Sequence, residues 1–125
     1  MWRLDSGRKY LSEISEQRGK SVVGVTGHHK PLSYKGRDKV LDYVNMGDVT
    51  NNLTSVPKIL DKGGSMYGNS EGCIIWDKNN KIIIRGYRGD KNMYQYNLGE
   101  SKVELMQGQV IDDKGVVYEK MLSGD

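Results

Sequence analysis

Apolar positions recur at helical spacing along the first half of the chain and alternate along the second. Leu4, Leu11 and Ile14, with Tyr10 four residues before Ile14 and Gly19 as a stop, predict an amphipathic helix over residues 4–18. A second helix is predicted over residues 36–46. Val40, Leu41 and Val44 form its stripe, Asp38 suits its first turn, and Gly47 sits at the C-terminal cap position. Asp48 is placed to cap a short helix through Leu53. Ser55 before Pro57 starts another, carrying Ile59 and Leu60 to a break at Gly63-Gly64. Between the first two helices, residues 21–25 read as a short strand or extended linker, and residues 26–31 as a loop punctuated by Gly27 and Pro31.

From Met66 onward the period is two. Residues 73–76 and 81–87 are β-branched or aromatic runs joined by Asp77-Lys78-Asn79-Asn80, a good hairpin connection. Residues 93–98, 102–106, 109–111 and 116–122 continue as strands, with turns at Gly99-Glu100-Ser101 and over residues 112–115. Helices first and hairpins afterwards predict an α+β fold, with N-terminal helices packed on a C-terminal antiparallel β-meander. At 125 residues the chain is expected to form a single domain, 1–125. Cys73, Ile75, Ile82, Ile84, Val40 and Val44 are its expected core residues.

Composition adds constraints. Phe is absent and Tyr occurs eight times, so broad rings with polar tips are available for wet surfaces and for stacking on bases. The single cysteine, Cys73, lies in an apolar run and reads as a buried, inert thiol. The two histidines are adjacent, so no zinc spacing exists, and no metal or cofactor is expected. No apolar stretch has the length of a membrane span, and the N-terminus lacks a charged-then-apolar signal pattern. Charge is uneven: residues 1–47 hold nine Lys/Arg against five Asp/Glu, whereas the remainder is nearly balanced. Lys78, Lys81, Arg85, Arg88 and Lys91 form a further cluster opposed by Asp77 and Asp90. Such clusters suggest an anionic partner.

Candidate chemistry follows from alternation. Along residues 81–87, Lys81, Ile83, Arg85 and Tyr87 share one face, while Ile82 and Ile84 share the other and point inward. With Gln95 and Glu104 on the neighbouring strands, this predicts a polar sheet face bearing Arg85, Tyr87, Gln95 and Glu104. His28 and His29 are the sharpest local feature, because imidazole can both take and return a proton near neutrality. RNA cleavage needs a base for the 2′-hydroxyl, an acid for the leaving oxygen and positive donors around the phosphorane. His28 or His29 with Arg85 and Glu104 supplies all three, one imidazole facing the site. Lys30, Lys39, Tyr87, Arg88, Lys91 and Tyr94 are the expected substrate contacts.

The order of basic helices, a Gly47-Asp48 break and Tyr-rich hairpins resembles the barnase–EndoU–colicin–RelE group of small ribonuclease toxins. The similarity rests on residues 38–46, on Gly47-Asp48, and on residues 72–97 with Arg85-Gly86-Tyr87-Arg88-Gly89. No catalytic signature of the group transfers residue by residue, and the absence of a second, well-separated histidine departs from the EndoU pattern. The resemblance implies a metal-independent ribonuclease acting on a structured RNA such as transfer RNA. It also implies a cytoplasmic site of action, delivery within a larger secreted protein, and a cognate acidic inhibitor (immunity) protein. The rival expectation is a non-enzymatic inhibitor or nucleotide- or protein-binding module of phage or bacterial origin, in which Arg85, Arg88 and the tyrosines grip an anion or a ring.

Overall fold

A computed structural model describes residues 1–23, 28–89, 92–107, 109–111 and 117–119. These residues are mostly strand, in three sheets, with two short helices. The expected α+β architecture is therefore corrected: no layer of N-terminal helices covers a meander.

The first sheet is built from the segments that carry helical spacing. Strand β1 (Trp2–Arg3) runs into helix α1 (Leu4–Tyr10), which ends at Tyr10 instead of residue 18. Leu11 turns extended, and β2 (Ser12–Glu16) follows as an edge strand. The expected helix over 36–46 is instead a hairpin of β5 (Tyr34–Asp38) and β6 (Asp42–Gly47). Its turn shows why. Asp38 Oδ2 accepts the Val40 and Leu41 amides at 2.9 Å each, and Asp42 adopts a left-handed φ of 63° that reverses the chain. Val44 and Met46 then point inward with period two, and Val40 is left exposed, against its expected place in the core. The sheet order is β1-β6-β5-β2, with β1 parallel to β6.

The six-stranded sheet has the order β7-β12-β11-β10-β9-β8. From β8 (Ser65–Gly68) through β9 (Gly72–Trp76), β10 (Ile82–Arg88), β11 (Tyr94–Leu98) and β12 (Ser101–Met106) it is the antiparallel meander that alternation predicts. β7 (Asn52–Ser55) adds to β12 in parallel, so the sheet is mixed. This strand occupies the place of the short helix expected after Asp48. Asn52 explains the difference: its Oδ1 accepts the Arg3 amide at 2.8 Å, and its Nδ2 donates to Ser6 Oγ and the Lys102 carbonyl. Met1 and Leu53 exchange two bonds of 2.7 Å, one from the N-terminal ammonium and one from the Leu53 amide, which joins the first two sheets. Helix α2 (Val56–Asp61) forms as predicted, with Ser55 Oγ accepting the Lys58 amide and Gly63 leaving the helix at a φ of 95°.

Val56 and Ile59 of α2 press onto Cys73, Ile75, Ile84, Tyr96, Val103 and Leu105, the inner face of the six-stranded sheet. Cys73 is buried as expected, and burial pushes its thiol up from the usual range. A second cluster gathers Trp2, Leu11, Val44 and Met46. The third sheet, β13-β14-β3-β4, contains β3 (Ser21–Val23), β4 (His29–Pro31), β13 (Gln109–Ile111) and β14 (Val117–Glu119). β13 and β14 thus leave the meander they were expected to extend, and β14 runs parallel to β3. The turn expected over residues 112–115 lies outside the described residues.

Candidate functional site

The β9–β10 hairpin determines which side chains reach the open face of the six-stranded sheet. Asp77 Oδ1 accepts the Asn79 and Lys81 amides, and Asn80 takes a left-handed φ of 62°, closing the turn that the sequence predicts. Beyond the turn the register shifts between Ile82 and Ile84. This bulge exchanges two expected orientations. Ile82 is 37% exposed, and Ile83 packs toward the core beside buried Ile84.

After the bulge, alternation places residues as expected. Tyr87 pairs with Gln95, and Gln95 with Glu104, so these three share a face, with Arg85 two residues before Tyr87. The same registers bring residues to this face that sequence reasoning missed. Arg85 pairs with Ile74 and Ile74 with Tyr67, so Tyr67 stands on the face from edge strand β8. Trp76, two residues after Ile74, joins them. Asn97 and Lys102 form the adjoining cross-strand pair. Tyr67 is 62% exposed and Tyr87 is 39% exposed. Tyr67 escapes a sequence reading because its short strand Ser65–Gly68 ends in glycine and carries a single aromatic.

Tyr87 is held in place. Its hydroxyl donates to Asn97 Oδ1 at 3.2 Å, on the neighbouring strand two residues beyond Gln95. The ring therefore leans toward the neighbouring strand, with its hydroxyl anchored at Asn97. Gln95 is buried, and among the described residues its Oε1 is a buried side-chain acceptor without a partner. Its amide nitrogen lies where a Cβ on residue 89 would stand, 1.1 Å away, so only Gly89 leaves room for it. An unpartnered buried acceptor costs about 1–3 kcal/mol.

The remaining expected site residues fall elsewhere. Arg88 pairs with Tyr94 on the opposite face, where its guanidinium sits 5.8 Å from the Tyr94 ring centre. The Tyr94 hydroxyl donates to the Asn69 carbonyl at 2.7 Å, which ties this ring to the connection between β8 and β9. Lys39 is exposed in the β5–β6 turn, and Lys30 is exposed on β4. His28 and His29 are exposed, His29 as the first residue of β4 in the third sheet. Among the described residues, no hydrogen bond or ion pair joins either histidine to Arg85 or Glu104. Glu104 is half-buried between Gln95 and Leu53. Lys91 lies outside the described residues. No group of three or more His, Cys, Asp or Glu among the described residues is placed to hold a metal ion, and no helix of theirs is long and apolar enough to cross a membrane.

The face therefore offers two exposed tyrosines, a half-buried tryptophan, two cationic side chains, two amides and the half-buried Glu104 carboxylate. Compared with known proteins, the chain matches no family model, no curated protein and no solved structure.

Proposed function

We propose that the protein binds single-stranded nucleic acid on the open face of β8, β9, β10 and β11, RNA being the expected polymer. The observation that carries this reading is the Tyr87 ring, anchored by its bond to Asn97, with Arg85 on the same face and Tyr67 across from it. An immobilised ring accepts any base by stacking, worth about 1–3 kcal/mol per base. Neighbouring strands lie about 4.8 Å apart, so Tyr67 and Arg85 stand roughly 10 Å apart across Ile74. That distance separates stacking from phosphate contact along one strand. Arg85 and Lys102 are the phosphate partners, and both are exposed and without an ion pair among the described residues.

Binding, and not cleavage, is what this face supports. Turnover would need an acid and a base flanking the reacting phosphate; Glu104 stands on this face, but His29, the imidazole that was to work with it, stands in a different sheet. Fluorescence anisotropy with labelled single-stranded RNA and DNA of equal length tests the reading. Two phosphate contacts predict a log–log salt slope of about −1.4. A duplex of the same length should compete poorly, because its bases cannot stack on tyrosine. Equal binding of duplex and single strand would reject the proposal. A difference between RNA and DNA would show that the 2′-hydroxyl is read.

A further inference from the structure

A second site lies on the other side of α2. A cleft of about 580 Å³ opens between the β5–β6 hairpin, the first residues of the chain, α2 and the β9–β10 turn. Its size falls in the range of small-molecule sites. Leu41, Ile59 and Ile83 are among its apolar lining, and Trp2 also contributes to the wall.

The polar lining is unbalanced. Lys58, Lys62 and Lys78 meet Asp42 and Asp77 around the opening. Asp42 is committed to Lys62 at 2.6 Å. Asp77 Oδ1 is committed to the backbone of its own turn. Lys58 donates to the Tyr43 carbonyl at 3.1 Å, a neutral acceptor, and neither Lys58 nor Lys78 has an ion pair among the described residues. Burial first, then the charges of Lys62 and Lys20, hold the Lys58 ammonium below the usual lysine range, with Asp42 opposing them. Three lysines against two aspartates leave an excess of positive charge at an apolar cleft, which favours an anion.

We propose that this cleft binds a small organic phosphate, with the phosphate between Lys58 and Lys78 and the organic body against Leu41, Ile59 and Ile83. Two lysines offer point charges suited to a phosphate group. The apolar wall selects a phosphate ester over the free ion. An aryl or nucleoside body and an alkyl chain would both fit this description, so the test includes each.

Isothermal titration calorimetry with phenyl phosphate, adenosine 5′-monophosphate, octyl phosphate and inorganic phosphate separates the cases. At least one ester should bind about tenfold or more tightly than inorganic phosphate. Lys58→Gln and Lys78→Gln should each weaken that ester about tenfold, with the melting temperature checked for both. Tyr67→Ala/Tyr87→Ala should leave it unchanged, because those rings lie on the open sheet face. No binding by any ester would overturn the proposal, as would affinity unaltered in the Lys58→Gln/Lys78→Gln double variant. Loss of ester binding in the tyrosine variant would move the ligand to the sheet face and equally overturn it.

Discussion

The Tyr87 hydroxyl on β10 donates to Asn97 Oδ1 on β11 across 3.2 Å, tying an exposed ring to the neighbouring strand. A side chain fixed in this way loses little freedom when a base stacks on it, which favours binding. Tyr87→Phe keeps the ring and removes the tether. It should weaken single-stranded RNA binding about twofold, in line with the low end of a neutral hydrogen bond. Tyr87→Ala should weaken it about 5- to 100-fold, because the stacking surface itself is gone. Equal losses in the two variants, measured by anisotropy, would show that the ring does not stack.

Gln95 is predicted to be a stability liability. Met has a similar volume and no unpartnered acceptor, so Gln95→Met removes a buried cost without opening a cavity. The variant should unfold at the same temperature or about a few degrees higher. A clear drop in melting temperature, followed by circular dichroism, would mean that the amide makes a bond that holds the fold.

The bulge in β10 predicts an asymmetry between adjacent isoleucines. Ile84 is 5% exposed and Ile82 is 37% exposed. Ile84→Ala should cost about 2–5 kcal/mol in denaturant unfolding. Ile82→Ala should cost about 1 kcal/mol or less. Equal costs would place both in the core and remove the bulge.

That bulge also marks where the sequence stops being a guide. The meander from β8 to β12, its turns, α2 and the shared face of Arg85, Tyr87, Gln95 and Glu104 are legible because alternation and turn residues act locally. The helix expected over 4–18 stops at Tyr10 and the one expected over 36–46 is a hairpin, because Leu11, Val40, Leu41 and Val44 fit either period and the competing terms are tertiary. Asp38 can cap a helix or a hairpin turn, and the left-handed Asp42 decides for the turn. The parallel additions of β1 to β6 and β7 to β12 depend on partners about 45–50 residues away, which no local pattern reports. Tyr67, Lys58 and Lys62 were missed for the same reason: each becomes a site residue only once the sheets and α2 are assembled, whereas Lys78 already stood in a basic cluster of the sequence. His28 and His29 show the converse, since a chemically suggestive pair does not say which sheet it will join.

Tyr96 links stability to alkaline pH. It is almost fully buried beside Thr54, whose Oγ1 lies 3.0 Å from its hydroxyl, and burial pushes its phenol up to about 12. The unfolded chain releases this proton near pH 10. A folded pKa raised above the unfolded one gives stability that is complete below pH 10 and is lost as pH rises through about 12. Tyr96→Phe should flatten that loss, although the mutant forfeits the bond to Thr54 at neutral pH. Urea titrations at pH 8, 10 and 11 check it: an identical pH dependence in both proteins would exclude Tyr96 as the cause.

The central claim is that nucleic acid lies on the face shared by Tyr67, Arg85 and Tyr87. It is tested most directly by the dissociation constant for single-stranded RNA of the wild type against Tyr67→Ala/Tyr87→Ala, both at one salt concentration and with melting temperatures compared. Both tyrosines are exposed, so the fold should persist while affinity falls about 25-fold or more, the combined loss of two stacking contacts. Undiminished affinity in the folded double variant, or no RNA binding by the wild type, would contradict it.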